Sequence, residues 1–361
     1  MENPIAGIFL SAQDRHGMIP PRFSSVPDME HPALSCEAPA AVAPGIIPVS
    51  QRFMCHDVDT LAECTHALAV HLDQLSPGPF QGILHEIRLE RMQLLRERVN
   101  RALLKRGTQA PHTTSFSIPL QIDGAGYCRG TSLNDRMLLV SNGTALPELR
   151  TPDQQDIAML VVETSALQEL ASLEERNADR TLSTEICLVG LSAARYAALK
   201  SLLLAGFEAM ENASAALAWP QTRKAVHDAV LLELAQTMAT GCDPIQLSLT
   251  ARRRIVDRVR ELVISQPDVP FTVLDICQAV GTSRRKLQYC FEEILGTHPA
   301  WYLRVLRLNA VRRELRQHSP ATASVGDVAC RWGFWHLSRF ATHYRQLFGE
   351  LPSDTLKRPT R

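Results

Sequence analysis

The rhythm of apolar and polar positions changes several times along the chain. Residues 1–50 hold eight of the 22 prolines and include PAAVAPGIIP, with no sustained period of two or 3.6, so they read as a mostly disordered leader. From Asp59 the run DTLAECTHALAVHLDQL spaces its apolar residues helically behind an acidic cap, and SPGP stops it. That spacing predicts a helix. Next come FQGILHEIRLERMQLL, TSFSIPLQI, RMLLVSNG and DIAMLVVE, which alternate or run continuously apolar between Gly, Pro and Asn. They predict an antiparallel β-domain over about 76–165. From Thr184 to about Thr240 the chain is rich in Ala and Leu at helical spacing and predicts two helices joined near Trp219 and Pro220, a packing or dimerisation surface. GCDPIQLSLT at 241–250 reads as a linker.

The last hundred residues repeat themselves. Thr272 opens TVLDICQAVG and Ser324 opens SVGDVACRWG, each a hydroxyl residue with Asp three positions on, the start of a capping box. Small residues, Cys277 and Ala329, fall where a second helix must approach, and a glycine supplies the turn. A longer helix follows in each copy, with Leu287, Phe291, Leu295 and Gly296 in the first and Phe340, Tyr344, Phe348 and Gly349 in the second. Pro299 and Pro352 then stand three residues beyond the glycine. Each copy is a helix-turn-helix. A plain pair of helical hairpins in a bundle shares this pattern, and two features weigh against it. Behind a Ser283 cap, Arg284 and Arg285 sit in a first helical turn, where cations oppose the macrodipole by roughly 0.3–1 kcal/mol each. Phosphates or guanine edges would repay that cost on binding. Between the copies, AWYLRVLRLNAVRRELRQ predicts a rod of about 27 Å. Successive major-groove faces lie about 34 Å apart.

Composition changes the picture less than charge does. With 45% hydrophobic and 21% charged residues the chain is ordinary, and no apolar run approaches a membrane span. The first twelve residues contain no Lys or Arg, so the expected compartment is cytoplasmic. Nine scattered cysteines without a C-x-x-C pair read as reduced thiols. The net charge of +0 hides a division: from Ala251 to Arg361 there are 19 basic and 10 acidic residues, and the preceding 250 residues carry 19 and 28. Such a basic C-terminal part fits a polyanion partner or a merely solubilising face. Catalytic motifs are missing. There is no G-x-x-x-x-G-K-[ST], G-x-S-x-G or H-E-x-x-H, and GLSA at 190–193 lacks the second glycine of a nucleophile elbow. An enzyme is not expected. Cys55 and His56 with Cys64, His66 and His71 come nearest to a metal cluster, but fit no common zinc spacing, and no metal is expected.

Ala329, Gly333, Phe334, Phe340, Tyr344, Gly349 and Pro352 form the pattern A-x-x-x-G-F, aromatic–x3–aromatic, G-x-x-P. On these residues, the region from Ile255 to Lys357 resembles the DNA-binding domain of the AraC/XylS family of transcriptional regulators. Trp332 and Trp335 in RWGFWHL, RLNAVRREL at 307–315 and LPSDTL at 351–356 make it most similar, within that family, to regulators of ethanolamine utilisation. Two positions depart from the family pattern: Pro352-Ser-Asp-Thr-Leu replaces P-x-x-Y-R, and Cys277 stands in place of Ala. The resemblance implies that Arg285, Gln288 and Tyr289 read bases with Arg284 at the backbone, and that Ser338, Arg339 and Thr342 serve the second unit. Leu287, Phe291, Phe340 and Tyr344 would be core. Helical spacing agrees, because each set of readers shares a face turned away from the apolar stripe. Trp301, Trp332 and Trp335 are expected in the core or in helix packing.

The chain is therefore expected to be an α+β multidomain protein. A leader spans 1–50, a β-rich effector-sensing domain 51–183, a helical dimerisation and coupling segment 184–245, and a double helix-turn-helix domain 251–358. Its expected activity is sequence-specific, effector-controlled transcription regulation. The expected partners are double-stranded promoter DNA, RNA polymerase, a second copy in a homodimer, and a small effector held between Phe80 and Glu163. By resemblance the effector is ethanolamine with adenosylcobalamin as co-effector; the alternative is a different small molecule in another metabolic, virulence or signalling pathway.

Overall fold

The computed structural model describes residues 49–129, 131–173, 186–212, 219–240, 245–247, 251–266 and 269–358. The expected disordered leader, up to residue 48, lies outside them. Two antiparallel sheets build the N-terminal part. The larger runs in the order β1 (Ser50–Cys55), β3 (Gly82–Arg88), β4 (Met92–Val99), β11 (Gln154–Glu163), β6 (Thr113–Asp123), β9 (Met137–Ser141), β12 (Ile186–Gly190) and β13 (Ile245–Gln246). The smaller runs β2 (Leu68–Gln74), β5 (Leu103–Gln109), β10 (Ala145–Arg150), β7 (Gly126–Cys128) and β8 (Thr131–Leu133).

The parity of β11 shows why DIAMLVVE is apolar throughout. Met159 and Val161 join Leu84, Leu95, Leu72 and Leu103 in a core shared by the two sheets. Ala158, Leu160 and Val162 face the other way, into a core shared with helices α2 (Thr164–Leu173), α3 (Ala193–Asn212) and α4 (Pro220–Thr240), including Leu199, Leu203, Phe207 and Leu234. A strand covered on both faces needs no alternation.

Three expectations from periodicity fail here. Helix α1 (Val58–Cys64), capped by Asp57, stops after seven residues, and LAVHLDQ continues as β2. From Leu68 to Leu72 every second residue faces the sheet core, and the segment pairs with β5 over its whole length. Sheet pairing therefore overrides a pattern that also fits a helix. CLVG forms β12 against β9, so the first of the paired helices begins only at Ala193. In the expected linker, Ile245 and Gln246 pair with β12 and Leu247 is buried.

The C-terminal part is helical: α5 (Ala251–Ser265), α6 (Val273–Val280), α7 (Arg284–Leu295), α8 (Pro299–Gln317), α9 (Val325–Arg331), α10 (Leu337–Phe348) and α11 (Pro352–Leu356). One core joins Val256, Ile276, Phe291, Tyr302, Val311, Ala329, Phe340 and Tyr344 across all of them. No helix among the described residues is long and apolar enough to cross a membrane.

Candidate nucleic-acid interface

The two repeats fold as capped pairs, α6 with α7 and α9 with α10. Thr272 and Asp275 form a reciprocal capping box at α6, and the Ser324 hydroxyl accepts from the Asp327 N–H at α9. Gly281 ends α6 in the left-handed region at φ 66°, a conformation with little penalty only for glycine. The corresponding Gly333, at φ 78°, lies so close to Pro270 that an added Cβ would approach it to 2.7 Å. Ser283 caps α7 as expected, through a 3.2 Å bond from the Lys286 N–H. Leu287, Phe291, Phe340 and Tyr344 are buried, which turns the opposite face of each second helix to solvent.

On α7 that exposed face carries Arg284, Arg285, Lys286, Gln288 and Tyr289. The Arg285 guanidinium lies 5.6 Å from the Tyr289 ring centre and donates to its hydroxyl at 3.3 Å, while Gln288 donates to Glu292 at 3.0 Å. These contacts one turn apart hold the side chains in place before any ligand arrives. On α10 Ser338, Arg339 and Thr342 are exposed. The Thr342 hydroxyl donates to the Ser338 carbonyl at 3.0 Å, so its proton is engaged within the helix.

Both helices end twelve residues after they begin, at Gly296 and Gly349, so Arg285 aligns with Ser338 and Lys286 with Arg339. Sequence reasoning missed Lys286, although the repeat register pairs it with a residue it had selected. It also placed Trp335 with the core tryptophans, and the structure corrects this. Trp301 and Trp332 are partly buried, with the Trp332 indole donating to Glu314 at 2.7 Å, whereas Trp335 is 65% exposed. The turn at Gly333 sends Trp332 and Phe334 inward and leaves the next residue outside.

The N-terminal part grips both units. Arg150 of β10 donates to the carbonyls of Leu295 and Gly296 at the end of α7, with its guanidinium 5.5 Å from the Tyr127 ring centre. At the end of α10, the Gly78 N–H approaches the carbonyls of Gln346 and Leu347 at 3.0 Å, and the Gln74 amide donates to Leu347 at 2.6 Å. These are the carbonyls a helix leaves without partners.

Helix α8, the expected rod between the units, lies against β2, the edge of the smaller sheet. Asn309 accepts from the Gln74 N–H at 2.9 Å and donates to its carbonyl at 3.0 Å, pairing with the strand backbone as another strand would. Arg313 bridges Asp59 and Asp73, each at 2.8 Å, and Arg316 pairs with Asp57. Arg253 and Arg260 of α5 meet Glu148. Burial pushes the Asp73 carboxyl up, but Arg313, the His71 hydrogen bond and Arg106 together hold it well below the usual carboxylate range. Part of the charge division in the sequence is therefore satisfied within the chain.

A cavity lies on each face of β2. One of about 60 Å³ lies between the sheets, lined by Thr65, Leu68, Val70, Leu72, Glu97, Lys105, Ser115, Ser117, Ser141 and Met159 among others. Its Glu97 pairs with Lys105 and accepts from Gln155 at 2.9 Å. The other, about 410 Å³, is lined from β2, β5 and α8 and includes His71, Asp73, Arg106, Arg307, Arg313 and Trp332. No group of three or more potential metal ligands occurs among the described residues.

Residues 276–358 match the family described as Helix-turn-helix domain. The chain is 42% identical over 88 residues to a probable thc operon regulatory protein of Rhodococcus erythropolis, covering 24% of this chain and 26% of that protein. It is 47% identical over 100 residues to XylDLEGF operon transcriptional activator 2 of Pseudomonas putida, covering 28% of this chain and 64% of that protein. For the curated relatives it matches first, the chain spans about a quarter of their length. The crystal structure of the AraC-like transcriptional activator CuxR is similar at 15% identity and a TM-score of 0.39, covering 78% of this chain and all of that one.

Proposed function

From a C-terminal domain of the AraC/XylS helix-turn-helix type, we propose that this protein is a sequence-specific DNA-binding transcription regulator controlled by a small effector, and that it is not an enzyme. The observation that carries the reading is a pair of capped, duplicated units whose second helices bury one face and present Arg284, Arg285, Lys286, Gln288, Tyr289, Ser338, Arg339 and Thr342 on the other. Arg and Gln at such positions match guanine and adenine edges in the major groove. Promoter DNA is then the partner, with RNA polymerase acting at the same promoter. Helices α3 and α4 serve a homodimer.

The effector reading draws on β2. Leu68, Val70 and Leu72 line the cavity between the sheets, while His71 and Asp73 face α8. A ligand that shifts this strand changes both faces at once and thereby favours one arrangement of the two units over another. The cavity offers a carboxylate, an ammonium and several hydroxyls to a small polar molecule. Ethanolamine, the effector proposed from the resemblance, is of suitable size and its amine would share Glu97 with Lys105. The cavity of about 60 Å³ between the sheets is far too small for adenosylcobalamin.

The test is selection from a random duplex pool with the full chain, at two salt concentrations. A recurrent sequence motif, with affinity falling steeply as salt rises, is expected. A folded chain with no sequence preference at low salt would overturn the reading. Calorimetry with ethanolamine on the wild type and on Glu97→Gln addresses the effector separately; absence of heat in both rejects ethanolamine and leaves DNA binding intact.

A further inference from the structure

The two units differ in chemistry. In the aligned register, Arg284 of the first unit is replaced by Leu337 in the second, and Leu337 is 46% exposed beside Trp335 at 65%. Leu337 also reaches the preceding helix: a Cβ added at Gly326 would meet its Cδ1 in ordinary contact at 3.5 Å. In the first unit Leu274 stands at the place of Gly326, two residues after the capping hydroxyl, and the partner position is the cationic Arg284. An exposed indole and an exposed isobutyl group, two residues apart at the start of the helix that bears Ser338 and Arg339, supply apolar surface among basic residues. The charges of Arg304 and Arg339 add to burial in pushing the His343 imidazole below its ordinary value, which marks that surface as positive.

Double-stranded DNA is the partner that satisfies both features. Its phosphates match the basic surroundings, and its major groove offers one kind of apolar group, the thymine C5-methyl, which apolar side chains contact directly. We propose that the second helix-turn-helix unit reads thymine methyl groups through Trp335 and Leu337, while the first reads purine edges through Arg285 and Gln288. Ser338 and Thr342, both exposed, continue along α10 from Leu337, with the Thr342 proton engaged within the helix. This inference rests on the DNA-binding function proposed above and specifies which bases its second unit recognises.

The experiment uses the full chain and the duplex recovered by selection. Each thymine is replaced singly by deoxyuridine, which removes the methyl and keeps the Watson–Crick edge. In one half-site at least one replacement should weaken wild-type binding about fourfold, the value of one methyl group taken out of water. Trp335→Ala and Leu337→Ala, both at exposed positions, should weaken binding to the thymine duplex, and at least one should lose most of its sensitivity to that replacement. Their melting temperatures, compared with wild type, show that the domain is folded. If wild type binds the selected duplex and every deoxyuridine replacement is neutral, the proposal fails while DNA binding stands. Undiminished methyl sensitivity in both variants overturns it equally. If Trp335→Ala binds DNA normally but fails to activate transcription in vitro, the apolar spot belongs to a protein partner and the proposal is wrong. A chain that selects no sequence at all shows that the DNA-binding reading itself has failed.

Discussion

Arg284 and Arg285 are adjacent in sequence and both exposed, yet the structure distinguishes them. Arg285 is held against Tyr289 one turn away, on the face that also carries Gln288, while Arg284 opens the helix. Arg285→Ala should cost roughly 1–3 kcal/mol on the selected duplex and blur the motif at one position, whereas Arg284→Ala should weaken all sequences about equally and reduce the salt slope by about 1. Repeating the selection with each variant checks this; an unchanged motif for Arg285→Ala would remove it from the readers. At this scale the core was legible in the sequence, because the spacing of Leu287, Phe291, Phe340 and Tyr344 admits only one buried stripe. Trp335 was not. Its bulk argued for the interior, and only the left-handed turn at Gly333 decides which aromatic of RWGFWHL turns inward. The Thr342 hydroxyl, bonded within its own helix, was equally hidden from residue type alone.

Elements were legible where a local signal is exclusive and misread where two periods compete. The capping box at Thr272, the Ser324 and Ser283 caps and the closing glycines fix both repeats from sequence. In contrast, DTLAECTHALAVHLDQL satisfies helical and strand spacing together, and the choice falls to β5, a partner distant in sequence. The closing glycines have a second duty that the repeat alone does not reveal. A Cβ at Gly296 would approach an Arg150 guanidinium nitrogen to 2.5 Å, and one at Gly349 would lie 3.0 Å from the Pro79 backbone nitrogen. Gly349→Ala combines a left-handed backbone, costing about 1–2 kcal/mol, with a contact against backbone that cannot easily yield. Gly281→Ala has the same backbone strain with open space around it. Gly349→Ala should therefore destabilise the full chain more than Gly281→Ala does, as measured by urea denaturation. Equal losses would mean that the contact with Pro79 carries no energy.

At the scale of the whole molecule, the acidic and basic parts of the chain complement each other before either meets a partner. The sequence showed the imbalance and pointed only outward, because charge counts carry no information about which residues face one another. Arg313 is the centre of that internal contact. It bridges Asp59 and Asp73, and Asp73 is only 1% exposed, so removing the arginine leaves a buried carboxylate with reduced compensation. Breaking a buried pair from one side costs about 3–5 kcal/mol, whereas replacing both partners by apolar groups is often close to neutral. Arg313→Ala should therefore lower stability strongly at pH 7, and Arg313→Met combined with Asp73→Leu should restore much of it. The pH dependence has a definite sign. In the wild type the Asp73 carboxyl is depressed in the folded state, so its contribution is complete above the unfolded value near 3.8 and is lost only as pH falls further. In Arg313→Ala, burial is opposed by fewer charges and the folded value rises, so the difference from wild type should shrink as pH is lowered from 7 towards 5. Denaturation midpoints at both pH values test this. A difference that stays constant would mean that Asp73 keeps its charge through Arg106 and His71 alone. The same double variant also separates packing from signalling. If the grip on α8 transmits the state of β2, the variant should still bind the selected duplex, and its affinity should no longer respond to a ligand that shifts wild-type affinity. A full ligand response in the folded double variant would place the coupling elsewhere, at Arg150 and Gly296 or at Gln74 and Leu347.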